Sequence, residues 1–344
     1  SDPNHINPAG FHFSELDSTM EQVVLPYRAK MSALGKQLYI NLNYTEFNHS
    51  CGTIAAVHQA PAEYAEFALA AFQHLSQKYG VVPDAWEMDL EPDNGTLFTG
   101  NATLIGQAVG ATVAKLSAAG FHPAIIAPST LQASNAPPYF DGIEAVSSAH
   151  GKVAELSYHR YGTAPTASLL QSIAQRAVSY GIRSAMLEHI GGNYNELMQD
   201  LTQARVSAWQ QLALAYSGTD DGSKYYVINT STATPTVTLG NRTRYLRQFF
   251  HYVLPGATRL GATSGQGALT VAAFQNPNTK YAVVVAATQA FSFTIGGLPA
   301  ATYGITYTTA GATGASGGPD QTITAGQLVK VSIPAAGVVT IFAR

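Results

Sequence analysis

Apolar positions along residues 17–263 switch repeatedly between a period near 3.6 and short continuous runs. In "AEYAEFALAAFQHLSQKYG" (62–80), Tyr64, Phe67, Ala68, Ala71, Phe72 and Leu75 share one helical face, and Gly80 suits the C-terminal cap. The same spacing predicts helices over 101–120, 167–180, 194–216 and 242–254, the last stopped by Pro255-Gly256. Between the helices lie short apolar runs at 38–44, 85–91, 123–129, 153–161, 184–190 and 224–230, which read as strands. After residue 263 the pattern becomes alternation broken by Asn-Pro, Gly-Gly and Ala-Gly turns.

Regular alternation of strands and helices with short connections predicts parallel strands covered by helices. The two architectures that fit are a doubly wound open sheet and a (β/α)8 barrel. No Gly-x-Gly-x-x-Gly follows the first strand, so the dinucleotide-binding open sheet has no support. Polar residues recur where the strands end: Asn43, Tyr44, Glu91, Ser129, His159, Tyr161, Glu188 and Asn229. Barrel active sites form at that rim. The expectation is therefore a barrel over 1–262, showing strands 3–8, followed by a β-sandwich over 263–344. The first two βα units are expected to lie outside this chain, either on a separate N-terminal fragment that completes the barrel or absent altogether.

Composition narrows the function. With 18 basic and 21 acidic residues the net charge is −3, and no basic run suggests nucleic acid or an anionic membrane surface as partner. No apolar run approaches the roughly 20 residues of a membrane span. The single cysteine, Cys51, cannot form an internal disulfide. The histidines are scattered without metal-ligand spacing, so neither a metal nor another cofactor is expected. Low charge with abundant Gly, Thr, Ser, Ala and Tyr suits a secreted or periplasmic protein.

Against this sparse background "WEMDLEPDN" (86–94) concentrates Glu87, Asp89 and Glu91 on one predicted strand. Alternation sends Trp86, Met88 and Leu90 toward the covering helices and the three acids into the barrel. Carboxylates inside a packed barrel need partners, so Glu87 and Asp89 are read as supporting residues paired with buried cations. Glu91 ends the strand before Pro92. Glu188, in "SAMLEHI", ends another apolar strand. Two carboxylates at one barrel rim are the equipment of glycoside hydrolysis. On the strand between them, "SYHRYG", His159 and Tyr161 point inward. Asn41, Asn43, His159, Tyr161 and Asn229 are the candidate sugar-binding residues, and Trp86 reads as core.

These residues resemble the clan A glycoside hydrolases, retaining enzymes built on a (β/α)8 barrel. That clan has its acid/base Glu at the end of strand 4, usually as Asn-Glu-Pro, and its nucleophile at the end of strand 7. Here "LEP" (90–92) and "LEH" (187–189) take those places if two strands precede the chain, and His159-Arg160-Tyr161 matches the end of strand 6. The C-terminal β pattern is similar to the sandwich of heparanase/β-glucuronidase-like, β-xylosidase-like and glucosylceramidase/glucuronoxylanase-like members. The resemblance implies Glu91 as acid/base and Glu188 as nucleophile in double displacement on a β-linked saccharide. The chain departs from the clan at Leu90, where the asparagine usually stands.

Two other readings remain at this stage. Asp84, Glu87, Asp89 and Glu91 approximate the chitinase pattern Asp-x-x-Asp-x-Asp-x-Glu, in which the substrate's N-acetyl group replaces the protein nucleophile. A non-catalytic sugar-binding or structural barrel would also keep this pattern.

Overall fold

The computed structural model describes residues 2, 4–47 and 56–344; Cys51 lies outside the described residues. The chain divides into two compact units, Ser1–Ala185 and Met186–Arg344.

The first unit opens with α1 (Ser14–Thr19), which passes through a π-helical turn, Met20–Val24, into α2 (Leu25–Ala33). Alternation follows: β1 (Asn41–Asn43), α3 (Pro61–Tyr79), β2 (Ala85–Glu87), α4 (Ala102–Ala118), β3 (Ala124–Thr130), α5 (Ala136–Glu144), β4 (Val153–His159) and α6 (Ala167–Tyr180). Local chemistry sets the helix ends. Pro61 opens α3, where its missing N–H costs nothing, and Gly80 closes it in the left-handed region at φ 61°. Asn101 caps α4 by accepting from Leu104 N at 3.0 Å, and Thr166 caps α6 through Leu169 N at 3.2 Å. α5, which carries Pro137 and Pro138, was not signalled by the apolar pattern.

Strand β5 (Arg183–Glu188) crosses from one unit into the next and is followed by α7 (Tyr194–Gln199) and the two-residue β6 (Ala208–Trp209). Strands β1 to β6 form one sheet in chain order. The β1–β2, β2–β3 and β3–β4 pairs are parallel, as the short crossovers require. Trp86 meets Tyr64 and Phe72 edge-on beneath α3, so it belongs to the core between sheet and helices.

Three expectations need correction. The predicted strand 85–91 pairs as a ladder only to Glu87. The predicted helix 194–216 ends early: α7 runs into a π turn, Asp200–Ala204, and stops at Arg205 with φ 56°. The Trp209 indole donates to Asp200 Oδ2 at 2.9 Å and fixes that reversal. The sixth strand of the sheet is consequently Ala208–Trp209. The run expected there, 224–230, instead forms β8 (Lys224–Asn229) in a separate sheet with β7 (Ala213–Ser217) and β9 (Thr236–Leu239). Alternation signals a strand but does not name its neighbour.

After β9 comes α8 (Asn241–Phe250), then β10 (Thr258–Leu260), β11 (Leu269–Gln275), β12 (Tyr281–Ala287), β13 (Phe291–Ile295), β14 (Ala301–Thr309), β15 (Ala312–Ser316), β16 (Gln321–Ile323), β17 (Val329–Ile333) and β18 (Gly337–Ala343). The larger sheet runs β10-β11-β12-β18-β14-β15, with β16 also on β14, and β13 pairs β17 in a second sheet. Alternation is clean in β17: Val329, Val331 and Ile333 are buried in the core while Lys330 and Ser332 face out. Gln248 of α8 docks on this sandwich. It donates to Thr308 Oγ1 and accepts from Thr306 Oγ1, each at 3.0 Å, with both its residue and Thr308 buried. No described helix is long and apolar enough to cross a membrane.

Candidate active site

In the first unit the sheet's C-terminal edge brings together Glu91, His159 and Asn94. Past Glu87 the chain still borrows hydrogen bonds from its neighbours: Met88 N donates to Ile126 O, Leu90 N to Tyr44 O and Glu91 N to Ser129 O. Glu91 itself lies in the left-handed region at φ 56°. A glutamate there is locally strained, by about 1 kcal/mol, and such strain concentrates at functional positions. The turn that follows is closed by Asn94 N donating to Glu91 O at 2.9 Å.

Glu91 is 6% exposed. Its Oε1 lies 3.0 Å from His159 Nδ1, and its Oε2 accepts from Asn94 Nδ2 at 2.8 Å. His159 is fully buried at the last position of β4 and stands edge-on to the Tyr161 ring, 6.1 Å between centroids. The Nδ1 contact directs His159 at the carboxylate rather than at a sugar, the role expected of it. His159 and Tyr161, both expected to point inward, stand beside each other.

The other acids of the cluster go elsewhere. Asn41 Nδ2 donates to Glu87 Oε2 at 2.5 Å, so Asn41 is engaged with an acid deep in the sheet. Asn43, at the end of β1, is exposed and accepts from Thr45 Oγ1 at 3.3 Å. Asp89 is 1% exposed and accepts from Thr96 Oγ1 at 2.8 Å. Burial pushes its carboxyl well above the ordinary range; the Thr96 hydrogen bond opposes this, and Glu46 and Glu87 add to it. Where a cationic partner was expected, the Thr96 hydroxyl hydrogen-bonds Asp89. Asp89 and Glu91 have different hydrogen-bond partners, Thr96 for the one and His159 with Asn94 for the other, beyond the end of the ladder at Glu87. Leu90 is half-buried.

Asp93 was not singled out by the sequence, yet it organises the neighbouring loop. It accepts from Leu131 N at 2.6 Å, Gln132 N at 3.2 Å and Asn135 Nδ2 at 2.7 Å. Asn94 was missed too. The only signal for either was their place directly after Glu-Pro.

In the second unit Glu188 is the last residue of β5, half-buried. The loop behind it is tightly fixed. His189 Nδ1 lies 3.2 Å from Glu196 Oε2, and Asn193 with Glu196 forms a reciprocal capping box at the start of α7. Asn229 is exposed on β8, where its Oδ1 accepts from Ser231 Oγ at 2.6 Å. It stands on the three-stranded sheet and not on a strand of the barrel sheet, contrary to the placement expected from the sequence.

No protein-family model matches the chain, and no curated protein matches its sequence. Solved structures do match its fold. The catalytic domain of GH30 xylanase C from Talaromyces cellulolyticus superposes with a TM-score of 0.72 at 16% identity, covering 95% of this chain and 80% of that one. A GH30 endoxylanase from Clostridium papyrosolvens gives 0.70 at 19% identity, covering 98% and 85%. An endo-β1,6-glucanase gives 0.64 at 16% identity, covering 95% and 76%. The fold is accordingly that of the barrel-plus-sandwich glycoside hydrolases, as the sequence resemblance implied.

Proposed function

We propose that this chain is a secreted retaining glycoside hydrolase that cleaves β-glycosidic bonds of a poly- or oligosaccharide, with Glu91 as acid/base and Glu188 as nucleophile. The observation that carries the reading is Glu91: a buried carboxylate at the C-terminal edge of a parallel sheet, in a strained turn, bonded to His159 and Asn94. Glu188 ends β5 of the same sheet. The enzymes whose fold the chain shares act on xylan and β-glucan, which supports the substrate class.

In the first step a Glu188 carboxylate oxygen attacks the anomeric carbon. The bond to the leaving oxygen breaks as Glu91 gives it a proton. In the second step Glu91 takes a proton from water, whose oxygen attacks the anomeric carbon and releases Glu188. Retention requires carboxyl groups about 5–5.5 Å apart. Tyr161 and Asn43 contact sugar in this scheme, and His159 holds Glu91. The chemistry belongs to residues 1–262, and the sandwich over 263–344 supports it.

The test is Glu188→Gln combined with a 2-deoxy-2-fluoro-glycoside. Turnover of p-nitrophenyl β-xyloside or β-glucoside, xylan or β-1,6-glucan should fall by about a thousandfold or more. The fluorinated sugar should label Glu188 in the unmodified protein. Unchanged turnover in the variant removes Glu188 from the role, and wild-type inactivity on the whole panel removes the reading.

A further inference from the structure

The three-stranded sheet β7–β9 interrupts the connection between β6 and α8. In barrel enzymes the segments that follow strands build the substrate-facing rim. This insertion is tied to the residues that follow Glu188. Gly191 N donates to Gly222 O at 3.2 Å, in the β7–β8 loop. Gln211 Nε2 bridges Gly192 O at 3.3 Å and Gly222 O at 2.8 Å. Gly192 is pressed against the Trp209 ring, with no room for a side chain. The Arg242 guanidinium adds a bond to Asp221 O.

On that sheet, Leu214 and Tyr216 of β7 fall on one face by strand alternation, Leu212 lies directly before the strand, and the three are 49%, 63% and 48% exposed. Large apolar side chains gathered this way on a surface mark a binding site more often than an accident. The Tyr216 ring is also held. The buried ammonium of Lys224 lies 5.5 Å from its centroid, and that ammonium is fixed by Thr219 O at 2.8 Å and Asp221 Oδ1 at 3.1 Å. The ring thus meets a fixed cation while Tyr216 remains largely exposed to solvent. A flat, rigid aromatic surface with aliphatic neighbours matches the C–H face of a pyranose ring, and the tyrosine hydroxyl can meet its hydroxyl groups.

We propose that Tyr216, flanked by Leu212 and Leu214, is an outer subsite that stacks a sugar ring of a polysaccharide chain away from the bond being cleaved. The occupant is a saccharide and not a second protein because the platform is tied, residue by residue, to the loop that follows Glu188. The inference rests on the proposed glycosidase reading.

The test compares Tyr216→Ala and Tyr216→Trp with the unmodified protein by affinity electrophoresis in gels containing xylan, β-1,6-glucan or carboxymethylcellulose. Binding needs no turnover, so its outcome is independent of whether the chemistry has been assigned correctly. The alanine variant should bind at least one of these polymers about tenfold more weakly, comparable to loss of one aromatic stacking contact, and the tryptophan variant should retain binding. On p-nitrophenyl β-xyloside or β-glucoside, too short to reach the platform, kcat/KM should be unchanged. Equal retardation of all three proteins, or no retardation of the unmodified protein by any polymer, overturns the proposal. So does a change of oligomeric state in the alanine variant without a change in binding, which would make the face a contact between copies.

Discussion

His159 Nδ1 lies 3.0 Å from Glu91 Oε1, and both side chains are buried, although 68 positions separate them in the chain. The contact joins the turn after β2 to the end of β4 and makes His159 a positioning residue for the proposed acid/base. His159→Phe removes it. Hydrolysis of glycosides with poor leaving groups should fall about ten- to a hundredfold, within the range typical of proton-transfer assistance. Glycosides with good leaving groups should lose much less, because their departure needs little protonation. Equal losses across a leaving-group series would show that His159 does not act through Glu91.

Glu155 on β4 governs a pH dependence of stability. Burial raises its carboxyl from the ordinary 4.5 to about 7; Arg183 opposes this and Glu87 adds to it. A folded-state value above the unfolded one means that stability is full below about pH 4.5. It drains as pH rises toward 7, because the unfolded chain ionises first. The loss amounts to about 3 kcal/mol at most. Glu155→Gln should therefore unfold at a higher temperature than the parent at pH 8 and show little advantage at pH 4.5, measured by thermal melts across that range. A constant difference at all pH values would contradict the assignment.

Asp93 should matter for the loop more than for chemistry. Asp93→Ala strips acceptors from Leu131 N, Gln132 N and Asn135 Nδ2. Leaving part-buried donors unsatisfied costs about 1–3 kcal/mol, which urea denaturation would read as a lower midpoint with an unchanged slope. Hydrogen exchange at Leu131 and Gln132 should accelerate in the same variant. Unchanged exchange would mean that other contacts hold the loop.

Gln248 makes a comparable test in the second unit. Gln248→Leu keeps the volume but leaves Thr306 and Thr308 without its amide, the latter fully inside. The expected loss is about 1–3 kcal/mol, and Gln248→Glu should also destabilise because it buries a charge in place of a donor. A stability equal to the parent's in both would show that the two threonines find other partners.

Much of this protein is written in its sequence. Helices α3, α4 and α6 follow from apolar spacing and from Gly80, Asn101, Thr166 and Gly181 at their ends, all of which act within a few residues of chain. The alternation in β17 likewise declares which side chains are buried. Glu91 and Glu188 stood out because charge is scarce and both sit where apolar strands end. Tertiary structure decided what alternation could not carry past a ladder's end. Once pairing stops at Glu87, Asp89 turns to Thr96 and Glu91 to His159 and Asn94, so three acids two residues apart acquire different surroundings. It also decided which strand joins which sheet. Lys224–Asn229 is the better strand by pattern, yet the two residues Ala208–Trp209 take the place in the barrel sheet because the Trp209–Asp200 hydrogen bond turns the chain back there. Local sequence fixes the period of an element; its partners depend on contacts between residues far apart in the chain.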